Sequence, residues 1–164
     1  MENYNVQVDI HEAYRYMGCR GRVDGDIENE LKKAAALIEM HATARVVTKI
    51  CTLDKSDGLV LKEAGLKLEG KSIAALLHDS DICAIFCATI GNDIEALMRK
   101  WQLKDIAFAS MLDGCASSAV ESLCNSVENK LTAEYSAQGY FVTDRFSPGY
   151  GDIPLSIQPD FCAA

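Results

Sequence analysis

Apolar and polar positions alternate in several segments of this chain, and the alternation predicts β-strands. Residues 4–10, YNVQVDI, place an apolar side chain at every second position, and residues 45–53, RVVTKICTL, are rich in β-branched residues. The apolar run ICAIFCATIG, residues 82–91, predicts a buried strand that its glycine closes. Residues 59–70 predict one strand or two after a turn in DKSDG, and YFVTDRF, residues 140–146, predicts the last strand.

Other segments repeat their apolar residues every three or four positions, which predicts helices. The first of them, in HEAYRYMG, ends at Gly18. Asp24 or Asp26 can cap the second helix, and Asn92 can cap the fourth. The predicted helices are, in chain order, residues 11–18, 22–44, 71–81, 92–103 and 104–139.

The last predicted helix is the longest, and it carries a continuous apolar stripe. The stripe consists of residues three or four positions apart, namely Phe108, Leu112, Cys115, Ala119, Leu123 and Val127. In the middle of this helix residues 114–119, GCASSA, are all small. We therefore expect the backbone of another element to approach closely at that point.

The order of strands and helices predicts the fold class. The two kinds of element mix without regular strand–helix alternation, which favours an α+β fold with a mixed or antiparallel twisted sheet and flanking helices. The 164 residues have the usual size of one domain and contain no repeat or linker, so they predict a single domain over residues 1–164. The chain ends on QPDFCAA without a further element to pack on it, which leaves open a chain truncated at its C-terminus or a segment that another chain completes.

Charge and hydropathy argue against two classes of partner. The net charge is -8 and no long basic run occurs, so nucleic acid and anionic membranes are poor partners. The N-terminus has no signal-peptide pattern, and the longest apolar run has about half the length that a membrane span needs. We therefore expect a cytoplasmic protein.

The residue types that bind metals or act as nucleophiles are scattered along the chain. His11, His41 and His78 lack the spacing of metal ligands, so we expect no metal site. The seven cysteines include no CxxC pair, and most lie in apolar patterns, which indicates reduced thiols in core positions. Nothing near a cysteine indicates a Cys–His nucleophile.

The chemistry that the sequence does indicate lies in residues 144–161, which contain every proline of the chain. Pro148 and Gly149 form a strong turn pair, because proline presets φ and glycine accepts a positive φ. A stiff loop lowers the entropy cost of holding the nearby side chains of Arg145 and Tyr150 in place for a ligand.

Arg145 and Tyr150 suit a small zwitterionic or aromatic ligand. Arg145 offers a planar fork of donors that matches a carboxylate or a phosphate, and Tyr150 offers a flat face and a hydroxyl. The structural alternative is a surface loop in which Arg145 forms an ion pair with Asp144 or Asp152. The residues alone leave both interpretations open.

The run RFSPGYGDIP, Arg145–Pro154, has the form R-x-x-x-G-Y-x-x-x-P. It resembles the signature of the activation domain of cobalamin (vitamin B12)-dependent methionine synthase, which binds S-adenosylmethionine. SPGYGDIPL is similar to the free-standing members of that family, and CAIFCATIGNDIEALMRKW before the long helix is compatible with their order of elements. The motif fixes four residues at set spacings, and the match is loose over the rest of the chain.

The resemblance implies a role for each matching residue. Arg145 would bind the carboxylate of S-adenosylmethionine, and the backbone around Phe146 would meet the adenine. Gly149 would set the turn that places Tyr150 between the ligand and the cobalamin face, where the chemistry occurs. An acidic residue on the preceding long helix also serves the ligand in the family, and Glu121 matches its place.

The resemblance also implies a function, namely an accessory subunit for reductive reactivation in methionine biosynthesis. Cob(II)alamin held by a partner methionine synthase or related corrinoid methyltransferase would receive an electron from a reductant such as flavodoxin and be methylated by S-adenosylmethionine. This chain lacks the cobalamin-binding and substrate modules, so it would act only on a partner. The alternative is a non-catalytic binding or scaffold protein of the same fold that serves another corrinoid protein. The family's N-terminal acidic contact is assigned to neither Asp9 nor Glu12.

Overall fold

The computed structural model of this chain describes residues 4–21 and 24–164, which form four β-strands and six α-helices. The helices are α1 Ile10–Tyr16, α2 Gly25–His41, α3 Lys71–Leu76, α4 Asn92–Lys104, α5 Ile106–Ser136 and α6 Gln158–Ala163. The strands are β1 Arg45–Asp54, β2 Leu59–Leu61, β3 Leu66–Leu68 and β4 Ile82–Thr89. The architecture is α+β, which confirms the predicted class.

The chain packs into two compact units, each with its own apolar core. The first unit comprises Met1–Val46 and Ala88–Ala133, and the second unit comprises Val47–Cys87 and Glu134–Ala164. The boundaries between the units fall inside β1, β4 and α5.

The core of the first unit forms around α5. Every residue of the predicted stripe on this helix is buried, and the most exposed of them, Phe108, keeps 8% of its surface accessible. Leu31, Ala34 and Ile38 of α2 join the same core at helical spacing. Although α5 has 31 residues, neither it nor any other helix in the described residues combines the length and apolar content needed to cross a membrane.

The predicted helix caps have different outcomes. Asp24 caps α2, since its carboxylate accepts a hydrogen bond of 3.0 Å from the backbone N–H of Asp26. The cap of α4 is Gly91 and not Asn92, so that prediction is wrong. Gly91 has a φ of 97°, and a Cβ there would lie 3.2 Å from the carbonyl oxygen of Thr43. Because a side chain would be both strained and crowded, this position requires glycine.

The segment before α1 is not a strand, so the strand predicted over residues 4–10 is wrong. Its apolar side chains do pack on the first-unit core at every second position, as the alternation predicts. However, its backbone N–H groups donate to side chains: Val8 to the carboxylate of Glu39 at 3.0 Å and Asp9 to the hydroxyl of Ser118 at 2.9 Å. The periodicity therefore fixed which side is buried but not what the backbone binds.

The backbone of α1 approaches α5 closely at the small residues in the middle of the long helix. A Cβ on Gly114 would lie 2.7 Å from the carbonyl oxygen of Ala13 and 2.9 Å from Cγ of Met17. Ala13 itself is fully buried. This contact confirms the expectation that another backbone comes near GCASSA.

The four strands form one antiparallel sheet in the order β3-β2-β1-β4. β2 pairs antiparallel with both β1 and β3, and Leu53 lies opposite Leu61. The N–H of Thr43, just before β1, donates to the carbonyl of Ile90, just after β4, at 2.7 Å. At the other end of β1, the N–H of Leu53 donates to the carbonyl of Asp81, just before β4, at 2.9 Å. β1 and β4 therefore also run antiparallel.

Two strand predictions in the second unit need correction. Within β4, all of whose residues are described, only Ile85 is buried, so the strand is less covered than its apolar run predicts. Residues 140–146 form no strand, and the sheet of the described residues ends at β3 and β4. Phe141 is 97% exposed in this segment. Apolar composition predicted the strand, but a strand needs a neighbour to pair with.

Gly114→Ala should destabilise the first unit by about 1–3 kcal/mol, because the new methyl group overpacks the contact with α1. The matched control is Gly25→Ala in α2, where a Cβ meets no atom within 4 Å. Alanine is favoured over glycine in a helix, so the control should be neutral or slightly stabilising. Urea unfolding followed by circular dichroism measures both. Equal stabilities of the two variants would contradict the close approach.

Candidate functional site

The proline segment of the second unit begins with a tight turn. The N–H of Tyr150 donates to the carbonyl of Ser147 at 3.0 Å, which closes a four-residue turn with Pro148 and Gly149 at its centre. Gly149 has a φ of 88°, the value that a type II turn requires at its third position. The predicted Pro-Gly turn is therefore confirmed.

A second turn follows directly and bonds back to the first. The N–H of Ile153 donates to the carbonyl of Tyr150 at 3.1 Å, and the N–H of Gly149 donates to the carbonyl of Ile153 at 3.0 Å. Gly151 adopts a φ of 55° between these bonds. Several backbone N–H and carbonyl groups of the loop are thus hydrogen-bonded to each other, which limits the conformations that the loop can adopt.

Two neighbouring residues anchor this loop to the rest of the second unit. Ile153 is 6% exposed and belongs to the second-unit core. The carboxylate of Asp152 accepts hydrogen bonds from the backbone N–H groups of Lys71 and Ser72, the latter at 3.1 Å. These are the first N–H groups of α3, which have no partner within the helix. The loop is therefore fixed by one apolar contact and one helix cap.

The electrostatics of Asp152 reflect this cap. Partial desolvation raises the pKa of its carboxyl, but hydrogen bonds from the backbone N–H groups of Ser72 and Lys71 and from the Ser72 hydroxyl outweigh it. The net pKa of Asp152 lies below its ordinary value. The folded protein consequently favours the ionised form that caps α3.

The loop carries two aromatic rings with different surroundings: Phe146 packs on the core, and Tyr150 is exposed. Phe146 is half-buried against the second-unit core, and Gly151 passes so near that a Cβ there would lie 3.0 Å from Cζ of the ring. Tyr150 is 71% exposed, and its ring meets the Phe146 ring edge-on with 6.5 Å between centroids. Arg145 precedes them and is half-buried. Four residues that the resemblance assigns to a ligand thus share this loop: Arg145, Phe146, Gly149 and Tyr150.

Glu121, the fifth such residue, lies in the first unit on α5. It lines a depression of about 720 Å³ that the N-terminal segment, α1 and α5 form together. Polar residues dominate the lining, and the full set is Gln7, Val8, Asp9, Glu12, Arg15, Tyr16, Ser118, Glu121, Ser122 and Asn125. The depression brings Glu121 beside Asp9 and Glu12, which the sequence left unassigned.

This depression is acidic, and two of its carboxylates already have structural partners. Asp9 caps α1 by accepting hydrogen bonds from the N–H groups of His11 at 2.8 Å and Glu12 at 3.1 Å. Glu12 forms an ion pair of 2.8 Å with Arg15. The pattern D-x-x-E at residues 9–12 signals a helix start. No local signal could have shown that this helix start adjoins Glu121 on α5.

The cysteines differ in exposure: Cys51 and Cys115 are buried, Cys87 and Cys162 are exposed, and Cys19, Cys83 and Cys124 lie between these extremes. Desolvation raises the pKa of Cys115 to about 12 and that of Cys83 to about 11, so these thiols are protonated and unreactive at neutral pH. Cys51 and Cys115 fit the expectation of core thiols, because both are buried. Cys87 and Cys162 are exposed and do not fit it. Within residues 4–21 and 24–164, no three His, Cys, Asp or Glu side chains are grouped to hold a metal ion.

Asp152→Asn should lower the stability of the second unit at neutral pH, because the charged cap of α3 is lost. The pKa of Asp152 is lower in the folded state than its ordinary 3.8. Its contribution is therefore complete above about pH 4 and disappears as the pH falls through the lowered value. Thermal unfolding from pH 7 to pH 2, with Asp57→Asn in an exposed turn as the control, measures this. A deficit that is constant across this range would contradict the role of the charge.

Comparison with protein-family models and with curated proteins gives no match to this chain.

Proposed function

We propose that this protein binds S-adenosylmethionine and serves as an accessory subunit in the reductive reactivation of a cobalamin-dependent methionine synthase. One observation carries the proposal: the residues of R-x-x-x-G-Y-x-x-x-P share a self-bonded, doubly anchored loop that exposes Tyr150. A loop held in this way is preorganised, which lowers the entropy cost of binding. The resemblance of the motif supplies the identity of the ligand.

Arg145 supports the proposal through the chemistry of its guanidinium. S-Adenosylmethionine carries a carboxylate, and a guanidinium can bind both carboxylate oxygens with two parallel hydrogen bonds. Arg145 lies two residues before the turn at Ser147–Tyr150 and directly before Phe146, whose ring packs on the second-unit core.

The two aromatic rings support different roles. The ring of Phe146 is used in packing, which leaves its backbone as the part that can meet an adenine. The ring of Tyr150 has most of its surface free to contact a ligand on one side and a corrin ring on the other. Flat rings bind other flat rings through offset stacking or edge contacts. This division agrees with the roles that the resemblance implies.

Glu121 is proposed as a further contact for the ligand. S-Adenosylmethionine carries an ammonium and a sulfonium group, and the acidic depression around Glu121 favours positive charge. Asp9 and Glu12 add to the negative potential there even while they cap and pair within α1.

The proposed reaction requires an oriented methyl donor and does not require a general acid or a general base. Cobalamin, supplied by the partner protein, would accept an electron from a reductant such as flavodoxin and then a methyl group from S-adenosylmethionine. The residues of this chain would hold the sulfonium methyl in line with its acceptor, which converts an encounter into an oriented reaction. Methyl transfer of this kind needs no proton shuttle, so the loop does not have to supply a general acid or base.

Arg145→Ala should reduce the affinity for S-adenosylmethionine about 10- to 100-fold, because losing a charged hydrogen-bonded contact costs roughly 1.5–3 kcal/mol. Isothermal titration calorimetry on the purified chain measures this. Arg99→Ala, at an exposed helix position paired with Glu95, is the matched control and should bind normally. Unchanged affinity in Arg145→Ala would remove that residue from the site. No binding by the folded wild-type chain, alone or with a corrinoid methyltransferase, would favour the scaffold alternative.

Tyr150→Ala should slow reactivation more than it weakens binding. We expect the affinity to change less than about threefold and the rate to fall more than about tenfold, since the side chain would act where the methyl group is transferred. The rate is the loss of cob(II)alamin absorbance in a mixture of this protein, a corrinoid methyltransferase, reduced flavodoxin and S-adenosylmethionine. Tyr140→Ala, a partly exposed tyrosine outside the motif, is the control. A variant that loses affinity but keeps its saturated rate would assign Tyr150 to binding alone.

A further inference from the structure

The two edges of the four-stranded sheet differ in how they are protected. β3, which forms one edge, has only three residues, and Lys67 lies at its centre. A short strand and a lysine are two of the features by which proteins prevent an edge strand from pairing with another chain. β4, which forms the other edge, has eight residues and contains no charged residue and no proline. The sequence of β4 therefore does not protect its edge.

One side of β4 lies outside both apolar cores. Cys83 and Ile85 pack in the second-unit core. Side chains alternate along a strand, so Ile82, Ala84 and Phe86 lie on the opposite side of the sheet. Neither core of the described residues includes them. Ala84 is exposed, and the other two are half-buried. This side of the strand is thus an apolar surface that remains partly accessible.

The backbone of β4 has hydrogen-bonding groups that face the open edge. The N–H of Leu53 on β1 donates to the carbonyl of Asp81, just before β4, at 2.9 Å. Successive residues of an antiparallel strand direct their N–H and carbonyl groups to alternate sides. Those of Ala84, and of the residues two positions before and after it, therefore face away from β1. The Ala84 carbonyl accepts a weak hydrogen bond from the Cys83 thiol at 3.8 Å, and it can accept a second bond.

A second copy of β4 matches this edge in one register. When two identical strands pair antiparallel about a two-fold axis, each strand meets its own sequence in reverse. With the axis at Ala84, the Ile82 side chain of one copy lies opposite the Phe86 side chain of the other, and the same pair occurs again on the far side of the axis. Pairs of an aromatic and a β-branched residue stabilise antiparallel strands. In this register the residues whose backbone groups face the edge also form the hydrogen-bonded pairs.

Charge also favours a meeting of two copies at this strand. The chain has a net charge of -8, so two copies repel each other over most of their surfaces. β4 brings no charged side chain into the contact. With the axis at Ala84, Asp81 of one copy lies opposite Cys87 of the other, and the two aspartates lie at opposite ends of the pair. The register thus keeps the nearest carboxylates apart.

We propose that the part of β4 in the second unit, Ile82–Cys87, pairs antiparallel with the same strand of a second copy, with Ala84 on the two-fold axis. Main-chain hydrogen bonds across the edge provide the affinity, and the alternate side chains fix the register. The pairing does not depend on the proposed function, since it uses no residue of the proline segment. Because the two copies share one short strand, the dimer dissociates on dilution.

Size-exclusion chromatography with light scattering on the purified full chain, over a series of concentrations, tests for this dimer. The mass should rise with concentration from that of one chain to that of two. Ala84→Lys should raise the dissociation constant at least about tenfold, because like charges meet at the axis. Ala96→Lys adds the same charge at an exposed position of α4, and this matched control should dimerise like the wild type. A wild-type chain that stays monomeric throughout, or a dimer that Ala84→Lys leaves intact, would overturn the proposal.

A mixture of two variants tests the register. Ala84→Lys and Ala84→Glu should each be monomeric where the wild type is dimeric, but together they should form a heterodimer, because opposite charges then meet at the axis. Native mass spectrometry with one chain labelled with ¹⁵N identifies the heterodimer. If both variants are monomeric and the mixture stays monomeric as well, Ala84 does not lie opposite itself and the register is wrong.

Hydrogen exchange on the wild-type chain provides a measurement that does not depend on the folding of any variant. The amides of Ile82, Ala84 and Phe86 should exchange at least about tenfold more slowly at dimeric than at monomeric concentrations. The amides of Cys83 and Ile85, which face β1, should change little. Slower exchange in residues 140–146 of the dimer, without a change in β4, would assign the contact to that exposed segment and contradict the pairing of β4.

Discussion

Burial of the apolar stripe on α5 is the constraint on which the first unit depends. The stripe is a continuous apolar face of α5, and apolar residues of α2 at the same helical spacing pack in the same core. The backbones of α1 and α5 lie close together at Gly114, because glycine has no side chain that would hold them apart. Ser118, one turn further along, then reaches the N-terminal segment and exchanges hydrogen bonds with the N–H and the carbonyl of Asp9. The acidic depression around Glu121 is a consequence of this packing.

The second unit solves a different problem, which is to hold a proline-rich loop in one conformation. Prolines restrict the chain but remove N–H donors, so the loop cannot be stabilised by a regular ladder. It uses three backbone hydrogen bonds within itself, the burial of Ile153 and the cap that Asp152 provides for α3. The Asp152 carboxylate thus caps α3 and anchors the loop that carries Tyr150. A loop built in this way presents side chains without large changes on binding, which is what the proposed role in positioning a methyl donor requires.

The sequence by itself determined the elements whose signals are local. The period of α5 predicted its buried face, the aspartate at residue 24 predicted a helix start, and Pro148–Gly149 predicted the turn, because each depends on residues a few positions apart. Only the tertiary structure decided what pairs across long distances in the chain. It left residues 4–10 and 140–146 without strand pairing, placed Asp152 at the start of α3, and brought Asp9 to the same depression as Glu121. The physical reason is that packing decides which groups become hydrogen-bond partners, and packing depends on the whole set of buried surfaces and not on any single segment.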